Sequence, residues 1–126
     1  IEEQYVQEPH ELRTDPMRLE QILVNLVSNA VRHSPAGRAV VVRVQGHALE
    51  TTFEVHDQGP GVPEELREKI FEPFERFDPL SGTGSGLGLP LSRRLAEILG
   101  GQLTVETPAG VTVFRLVLPL DPPPDS

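Results

Sequence analysis

A strong helical pattern over residues 16–34 constrains the fold more than any other feature of the chain. Its apolar side chains recur at three- and four-residue steps and form one stripe, which consists of Leu19, Ile22, Leu23, Leu26, Val27, Ala30 and Val31. Asp15 suits the N-cap and Pro16 the first helical position, and the Ser-Pro-Ala-Gly run at 34–37 ends the pattern. Such a helix must bury its stripe against a second layer, which the rest of the chain has to supply.

Four short segments rich in β-branched residues predict that second layer. They are residues 39–45, 51–57, 102–106 and 111–118. Turns join the first two segments and the last two, so we expect two hairpins. A short helix over 64–71 and a long one over about 86–99 complete the pattern. We therefore predict an α/β (α+β) two-layer sandwich, in which about three helices cover one face of a mixed, mostly antiparallel sheet.

The second long helix has its own predicted apolar face, formed by Leu87, Leu91, Leu95 and Ile98 with Leu99 beside them. The first 15 residues are polar and predict an extended segment with room for a short strand. Residues 1–120 are expected to form one domain and residues 121–126 a flexible proline-rich tail. Because the chain begins with Ile1 and not Met, we expect it to be part of a longer protein.

Composition excludes several classes of function. With 11 Lys and Arg against 19 Asp and Glu, the formal net charge is -8, which disfavours sequence-independent binding to nucleic acid. The absence of Cys excludes disulfides, thiolate catalysis and Cys-ligated zinc. No apolar run is long enough to predict a membrane span, and the four His residues have no metal-ligand spacing.

Glycines alternate at positions 82, 84, 86 and 88 and run directly into the second long helix. Glycine lets a backbone approach a ligand closely, and a helix start offers free N–H groups, so together they favour a phosphate site. A flexible linker with a helix cap is an equally good interpretation of this stretch alone. The lysine of a P-loop and the Gly-x-Gly-x-x-Gly spacing are both absent.

Asn25 and Asn29 lie four residues apart, beside the apolar stripe of the first helix and near Arg18 and Arg32. An amide oxygen in that position can ligate Mg²⁺, which often completes its shell with phosphates and water. Two surface amides bonded to water are the alternative, and these residues alone favour it.

Two further segments have both a functional and a structural interpretation. Asp57 ends a strand and precedes Gly59 and Gly61, so its carboxylate could accept a hydrogen bond from an amino group while the glycines make room for a flat ring. The alternative is an ordinary turn. Residues 70–77 carry three Phe and Arg76, which suggests a hydrophobic hinge with an arginine directed at a phosphate, or else core aromatics beside a solvated arginine.

In order and spacing, the four motifs together resemble those of the ATP-binding catalytic domain of sensor histidine kinases. That domain belongs to the wider family of gyrase-, chaperone- and mismatch-repair-type ATPases with the Bergerat fold. The resemblance covers residues 12–119 and ends in the final hairpin. The matching boxes are the N box at 15–34, the G1 box at 57–62, the F box at 71–77 and the G2 box at 84–89. Two residues depart from the pattern: Val111 replaces a usual Gly, and Pro90 a small helix former.

The resemblance implies that one group of residues binds the base of ATP. Asp57 would accept a hydrogen bond from the adenine amino group, Thr112 would support Asp57, and His33 would stack on the ring. The residues that would shape and line this pocket are Gly59, Gly61 and Val62.

The resemblance implies that a second group binds the phosphates and the metal. Asn29 would ligate Mg²⁺, with Asn25 nearby in the N box and Arg32 close to the phosphates. Arg76, within a lid over residues 72–83, is a candidate for contact with the γ-phosphate. The backbone that would cradle the phosphates belongs to Gly84, Ser85, Gly86, Leu87 and Gly88.

The activity implied is transfer of the γ-phosphoryl group of Mg·ATP to a histidine on a separate domain. No histidine here matches that acceptor, and no covalent nucleophile is expected in this domain. Asn25 stands where related hydrolases carry a general-base Glu, and an amide cannot act as that base. A serine kinase that acts as an anti-sigma factor, an ATP hydrolase and a degenerate interaction module remain the alternatives.

The implied partners are ATP and ADP, the dimerisation and histidine-phosphotransfer domain of the same parent protein and, indirectly, a response regulator. Nucleic acid and direct membrane contact are not expected. The implied location is the cytoplasm, as the cytoplasmic part of a membrane-bound sensor.

Overall fold

The structure is a computed structural model that describes residues 2–7, 12–47, 49–72 and 88–121, and of residues 2–7 only the backbone. Its strands and α-helices, in chain order, are β1 (Glu2–Gln7), α1 (Pro16–His33), β2 (Val41–Gly46), β3 (Glu50–Asp57), α2 (Gly88–Ile98), β4 (Gln102–Glu106) and β5 (Thr112–Pro119). Short 3₁₀ turns are found at Glu64–Leu66, Lys69–Phe71 and Pro108–Gly110. The residues predicted to form the flexible tail lie outside the described part, except for Asp121.

The strands form one five-stranded sheet in the order β1-β2-β3-β5-β4. β1 runs parallel to β2, and every other neighbouring pair is antiparallel. Both predicted hairpins are present, as β2–β3 and β4–β5, and the pairing of β3 with β5 joins them. The prediction of a mixed, mostly antiparallel sheet is confirmed.

Helix α1 begins and ends where the sequence predicts. The Asp15 carboxylate accepts hydrogen bonds from the backbone N–H groups of Met17 at 2.9 Å and Arg18 at 3.3 Å. Pro16 occupies the first turn, and the N–H of Ser34 donates to the carbonyl of Ala30 at 2.9 Å to close the last turn. No helix in the described part of the chain is long and apolar enough to cross a membrane.

Both α-helices pack on the same face of the sheet and on each other. Phe53 lies opposite Leu116, and Val55 opposite Phe114, so alternate residues of the two central strands share this face. The core contains Ile22, Leu26, Ala30, Phe53, Val55, Ala96, Leu99, Leu103, Val105, Phe114, Leu116 and Leu118. The predicted two-layer architecture is therefore confirmed.

The structure differs from the sequence prediction in how α2 is oriented. Leu91, which we predicted to lie on its apolar face, is 42% exposed, whereas Ser92 and Ala96 are buried. A helix with leucines on several sides satisfies more than one periodic pattern, and packing against α1 selects one of them. The short helix predicted over 64–71 consists of two 3₁₀ turns, and Pro90 is tolerated because it lies in the first turn of α2.

The opposite face of the sheet carries a cluster of paired charges. The Glu54 carboxylate lies 2.8 Å from the Nε of Arg115 and 2.9 Å from the Nε2 of His56, and Arg115 also reaches Glu106 at 3.3 Å. Burial alone would raise the pKa of Glu54, but hydrogen bonds and ion attraction from His56 and Arg115 hold it below its ordinary value. This carboxylate therefore stabilises the fold in its ionised form.

Thr51, buried in β3, allows a test of what an unpaired hydroxyl in the core costs in stability. No residue in the described part of the chain forms a hydrogen bond with its hydroxyl. A buried hydroxyl without a partner destabilises a fold, so we expect Thr51→Val to raise the free energy of unfolding by about 1 kcal/mol. Urea unfolding measures this. Thr104→Val, on the exposed side of β4, is the control and should stay within about 0.5 kcal/mol of wild type.

Glu54 predicts a pH-dependent contribution to stability. Because its pKa is lower in the folded chain than the ordinary 4.5, its stabilisation is complete well above that value and is lost as the pH falls through the folded pKa. We expect Glu54→Gln to cost about 1 kcal/mol near pH 7, and the difference from wild type to narrow below about pH 4. Urea unfolding over that pH range tests this, with exposed Glu50→Gln as control. A constant difference would contradict the assignment.

Candidate functional site

Asp57 is a buried carboxylate at the end of β3. Its side chain accepts a hydrogen bond from the N–H of Gly59 at 2.8 Å through Oδ1, and no hydrogen bond from the described residues reaches Oδ2. The residue is only 2% exposed. Burial raises its pKa, and the Gly59 N–H and the charges of His33 and His56 offset only part of that rise. A half-satisfied buried carboxylate is typical of a site where a ligand supplies the missing donor.

Thr112 provides a second polar group without a partner beside Asp57. The two residues lie directly opposite each other in the pairing of β3 with β5. Thr112 is 3% exposed, and its hydroxyl has no hydrogen-bond partner among the described residues. A buried hydroxyl without a partner beside a half-satisfied buried carboxylate is rare unless something else satisfies both groups. Thr112 therefore lies opposite Asp57 in the sheet, and its support of that carboxylate stays a prediction.

The loop after Asp57 lies close to two other parts of the chain. A Cβ on Gly59 would lie 2.6 Å from the carbonyl oxygen of His33, at the end of α1. A Cβ on Gly61, which has φ near +82°, would lie 2.8 Å from the Cγ2 of Thr107 in the β4–β5 turn. Glycine is required at both positions, since any side chain would push the loop away from its neighbours.

Two residues that the sequence analysis did not assign to the site fix this loop. The Thr107 hydroxyl accepts a hydrogen bond from the N–H of Val62 at 3.2 Å, and the Ser34 hydroxyl accepts one from the N–H of Gln58 at 3.2 Å. Thr107 and Val62 are far apart in sequence, so no local pattern could have predicted their contact. Val62 itself is half-buried and packs against the core, and its place in the lining of a base pocket stays a prediction.

Asn29 lies at the site end of α1 and is more deeply buried than its sequence position suggested. It is 8% exposed, and no residue in the described ranges forms a hydrogen bond with its side-chain amide. The Nδ1 of His33 lies 2.8 Å from its backbone carbonyl oxygen. A buried amide whose oxygen is available can ligate a hard cation or bond a phosphate. Arg32, the next predicted phosphate residue, is exposed at the same end of the helix.

Asn25 makes different contacts from Asn29. Its amide Nδ2 donates to the hydroxyl of Ser92 at 3.1 Å and to the carbonyl of Gly88 at 3.4 Å. Both acceptors belong to α2, and Gly88 is its first residue. Asn25 therefore connects α1 to the start of the second helix, a role that its sequence position did not predict.

The remaining predicted site residues lie outside the described part of the chain. They are Arg76, Gly84, Ser85, Gly86 and Leu87. Their roles stay predictions. Among the described residues, no group of three or more His, Asp or Glu could hold a metal ion.

The family model of histidine kinase-, DNA gyrase B- and HSP90-like ATPases matches residues 14–122. The chain is 43% identical over 116 residues to the signal transduction histidine-protein kinase AfsQ2 of Streptomyces coelicolor, covering 89% of this chain and 21% of that protein. It is 44% identical over 109 residues to the aerobic respiration control sensor protein ArcB of Escherichia coli K12, covering 81% of this chain and 14% of ArcB.

Solved structures agree in fold. The catalytic domain of histidine kinase ThkA superposes with a TM-score of 0.84 at 30% identity, over 95% of this chain and 79% of that one. The mycobacterial sensor histidine kinase MprB superposes with a TM-score of 0.82 at 34% identity, over 97% of this chain and 83% of that one.

The chain thus spans between 14% and 21% of the length of these two curated relatives, AfsQ2 and ArcB. The chain belongs to the histidine kinase-, DNA gyrase B- and HSP90-like ATPase family, and within that family it is a catalytic domain of the sensor histidine kinase type.

Proposed function

We propose that this chain binds Mg·ATP and presents its γ-phosphoryl group to a histidine on a separate dimerisation and phosphotransfer domain of the same parent protein. The observation that carries the proposal is the buried Asp57 carboxylate. One of its oxygens accepts a hydrogen bond from the Gly59 N–H, and none of the described residues donates to the other oxygen. A ligand amino group is the donor that such an oxygen lacks.

The base side of the pocket is suited to adenine. The exocyclic amino group would donate to Asp57, and the unpartnered Thr112 hydroxyl beside it could bond the ring edge or a bridging water. The loop through Gly59 and Gly61 would present backbone, not side chains, to the base. His33, at the end of α1, would stack on it.

The phosphate side is suited to a metal-bound triphosphate. Asn29 would hold Mg²⁺ through its amide oxygen, because the residue is buried and its side chain has no hydrogen-bond partner among the described residues. When bound, the metal ion would neutralise charge on the phosphates during transfer. Arg32 and Arg76 are candidates for phosphate contact, with the backbone at 84–88 as the cradle.

The chain's own contribution is then position and charge neutralisation, with no covalent nucleophile. Both donors of the Asn25 amide are directed at α2, and the side chain offers no carboxylate to activate water. This supports a kinase over an ATP hydrolase, since the phosphoryl group would be protected until a protein acceptor arrives.

The proposal includes partners and a location. The acceptor histidine would lie outside this chain, and a response regulator would receive the phosphoryl group from it. The relative ThkA, 28% identical over its match to this chain, has been solved in complex with the response regulator protein TrrA. We propose a cytoplasmic location for this domain, as the cytoplasmic part of a membrane-bound sensor that contacts neither nucleic acid nor lipid through this fragment.

Asp57→Asn tests the base site, because it keeps the shape and the bond from Gly59 but removes the charge. We expect the affinity for Mg·ADP to fall by at least about tenfold, as a charge-assisted hydrogen bond is lost. Isothermal titration calorimetry measures this. Glu54→Gln, which removes a carboxylate from the opposite face of the same strand, should leave the affinity unchanged. Equal affinity for wild type and Asp57→Asn would contradict the proposed function.

The same variant should be more stable than wild type without ligand. The raised pKa of Asp57 means that its ionised form costs free energy in the folded chain at every pH above the ordinary value of 3.8. Asp57→Asn should therefore raise the apo free energy of unfolding near pH 7, and the gain should vanish below about pH 4. Gain of stability with loss of binding is expected of a functional carboxylate.

Asn29→Ala tests the metal site separately. We expect about a tenfold loss of ADP affinity in the presence of Mg²⁺ and little change in the presence of EDTA, because only the metal-bound ligand uses the amide oxygen. Calorimetric titrations in both buffers measure this. Ser28→Ala, an exposed neighbour on α1, is the matched control. An equal loss with and without Mg²⁺ would show that Asn29 acts on the nucleotide or the fold and not through the metal.

A further inference from the structure

Ser92 is a fully buried hydroxyl in α2, with 0% exposure. A buried serine on the packed face of a helix costs stability unless it has a hydrogen-bond partner, and an alanine or valine would pack there without that cost. The partner is the Nδ2 of Asn25 on α1, at 3.1 Å. The two polar residues therefore depend on each other across the interface between the helices.

The contacts of Asn25 hold α2 at two points one helical turn apart. The same Nδ2 that reaches Ser92 also reaches the carbonyl oxygen of Gly88, the first residue of α2, at 3.4 Å. On α1, Asn29 follows Asn25 by one turn on the side of the candidate site. The start of α2 is thus tied to α1 one turn away from the amide assigned to the metal.

In the described part of the chain no other hydrogen bond or ion pair joins the two helices, and apolar residues of both, such as Leu26 and Ala96, belong to the same core cluster. Apolar contacts are not directional and allow small shifts of one helix along another, whereas a hydrogen bond fixes distance and angle. The contact of Asn25 with Ser92 and Gly88 is consequently the interaction in the described part of this interface that sets the register of α2 on α1.

We propose that Asn25 and Ser92 are positioning residues, which hold the N-terminus of α2 at the distance from Asn29 that the phosphate groups of the nucleotide require. The inference rests on the proposed function and adds that two residues outside the nucleotide contacts influence the affinity for the nucleotide. Neither residue needs to touch the nucleotide. The pair acts on the phosphate end of the ligand and not on its base, because Asp57 and Thr112 are held opposite each other by the pairing of β3 with β5 and make no hydrogen bond to α2 in the described part of the chain.

The test compares a ligand that has phosphates with one that lacks them. For Ser92→Ala we expect the affinity for Mg·ADP to fall about three- to tenfold, the amount that one net hydrogen bond represents, while the affinity for adenosine changes less than about twofold. Asn25→Ala should have the same selective effect, and the double variant should lose little more than either single one, because both remove one interaction. Ser92→Thr keeps the hydroxyl and should restore most of the ADP affinity.

Ala96→Gly is the matched control, since it weakens the same helix one turn further on and leaves the hydroxyl and the amide intact. It should lower the stability of the chain without changing the ratio of ADP to adenosine affinity. The inference is overturned if Ala96→Gly changes that ratio as Ser92→Ala does, or if Ser92→Ala lowers both affinities in proportion or neither. Failure of the wild-type chain to bind ADP would instead contradict the proposed function, and the inference with it.

Discussion

The pairing of β3 with β5 is the interaction on which the rest of the structure depends. It joins the two hairpins into one sheet, and its inner face carries the residues against which both helices pack. The same register places Glu54 beside Arg115 on the outer face and Asp57 opposite Thr112 at the strand ends. One set of backbone hydrogen bonds therefore aligns the core, the outer ion pairs and the polar end of the pocket.

Helix α1 contacts both the sheet and helix α2. Its apolar stripe, with Ile22 and Leu26 at the centre, packs on the sheet. The side-chain amides of Asn25 and Asn29, beside that stripe, differ in their contacts. Asn25 bonds to α2, while the amide of Asn29 has no partner among the described residues. Because Asn25 and Asn29 lie one turn apart on the same rigid helix, the position of α2 is linked to the position of the amide that we propose to hold the metal.

Asp57 illustrates how a candidate binding site can oppose the stability of its own fold. Its burial raises the pKa and makes the ionised form unfavourable, which a purely structural position would avoid by carrying an apolar or neutral residue. Glu54 on the same strand shows the contrast, since its partners His56 and Arg115 stabilise the ionised form. Two carboxylates three residues apart therefore have opposite effects, decided by whether the chain itself supplies the donors.

The sequence by itself determined the elements whose signals are local. Capping by Asp15 and Pro16, the alternation of the strands and the glycines after Asp57 each act within a few residues, so α1, both hairpins and the position of the loop could be predicted. Only the tertiary structure decided which face of α2 is buried, that β1 joins the sheet in parallel, that Thr107 and Ser34 hold the loop after Asp57, and that Ser92 bonds Asn25. Those outcomes depend on packing and on hydrogen bonds between residues far apart in the chain, which no local pattern encodes.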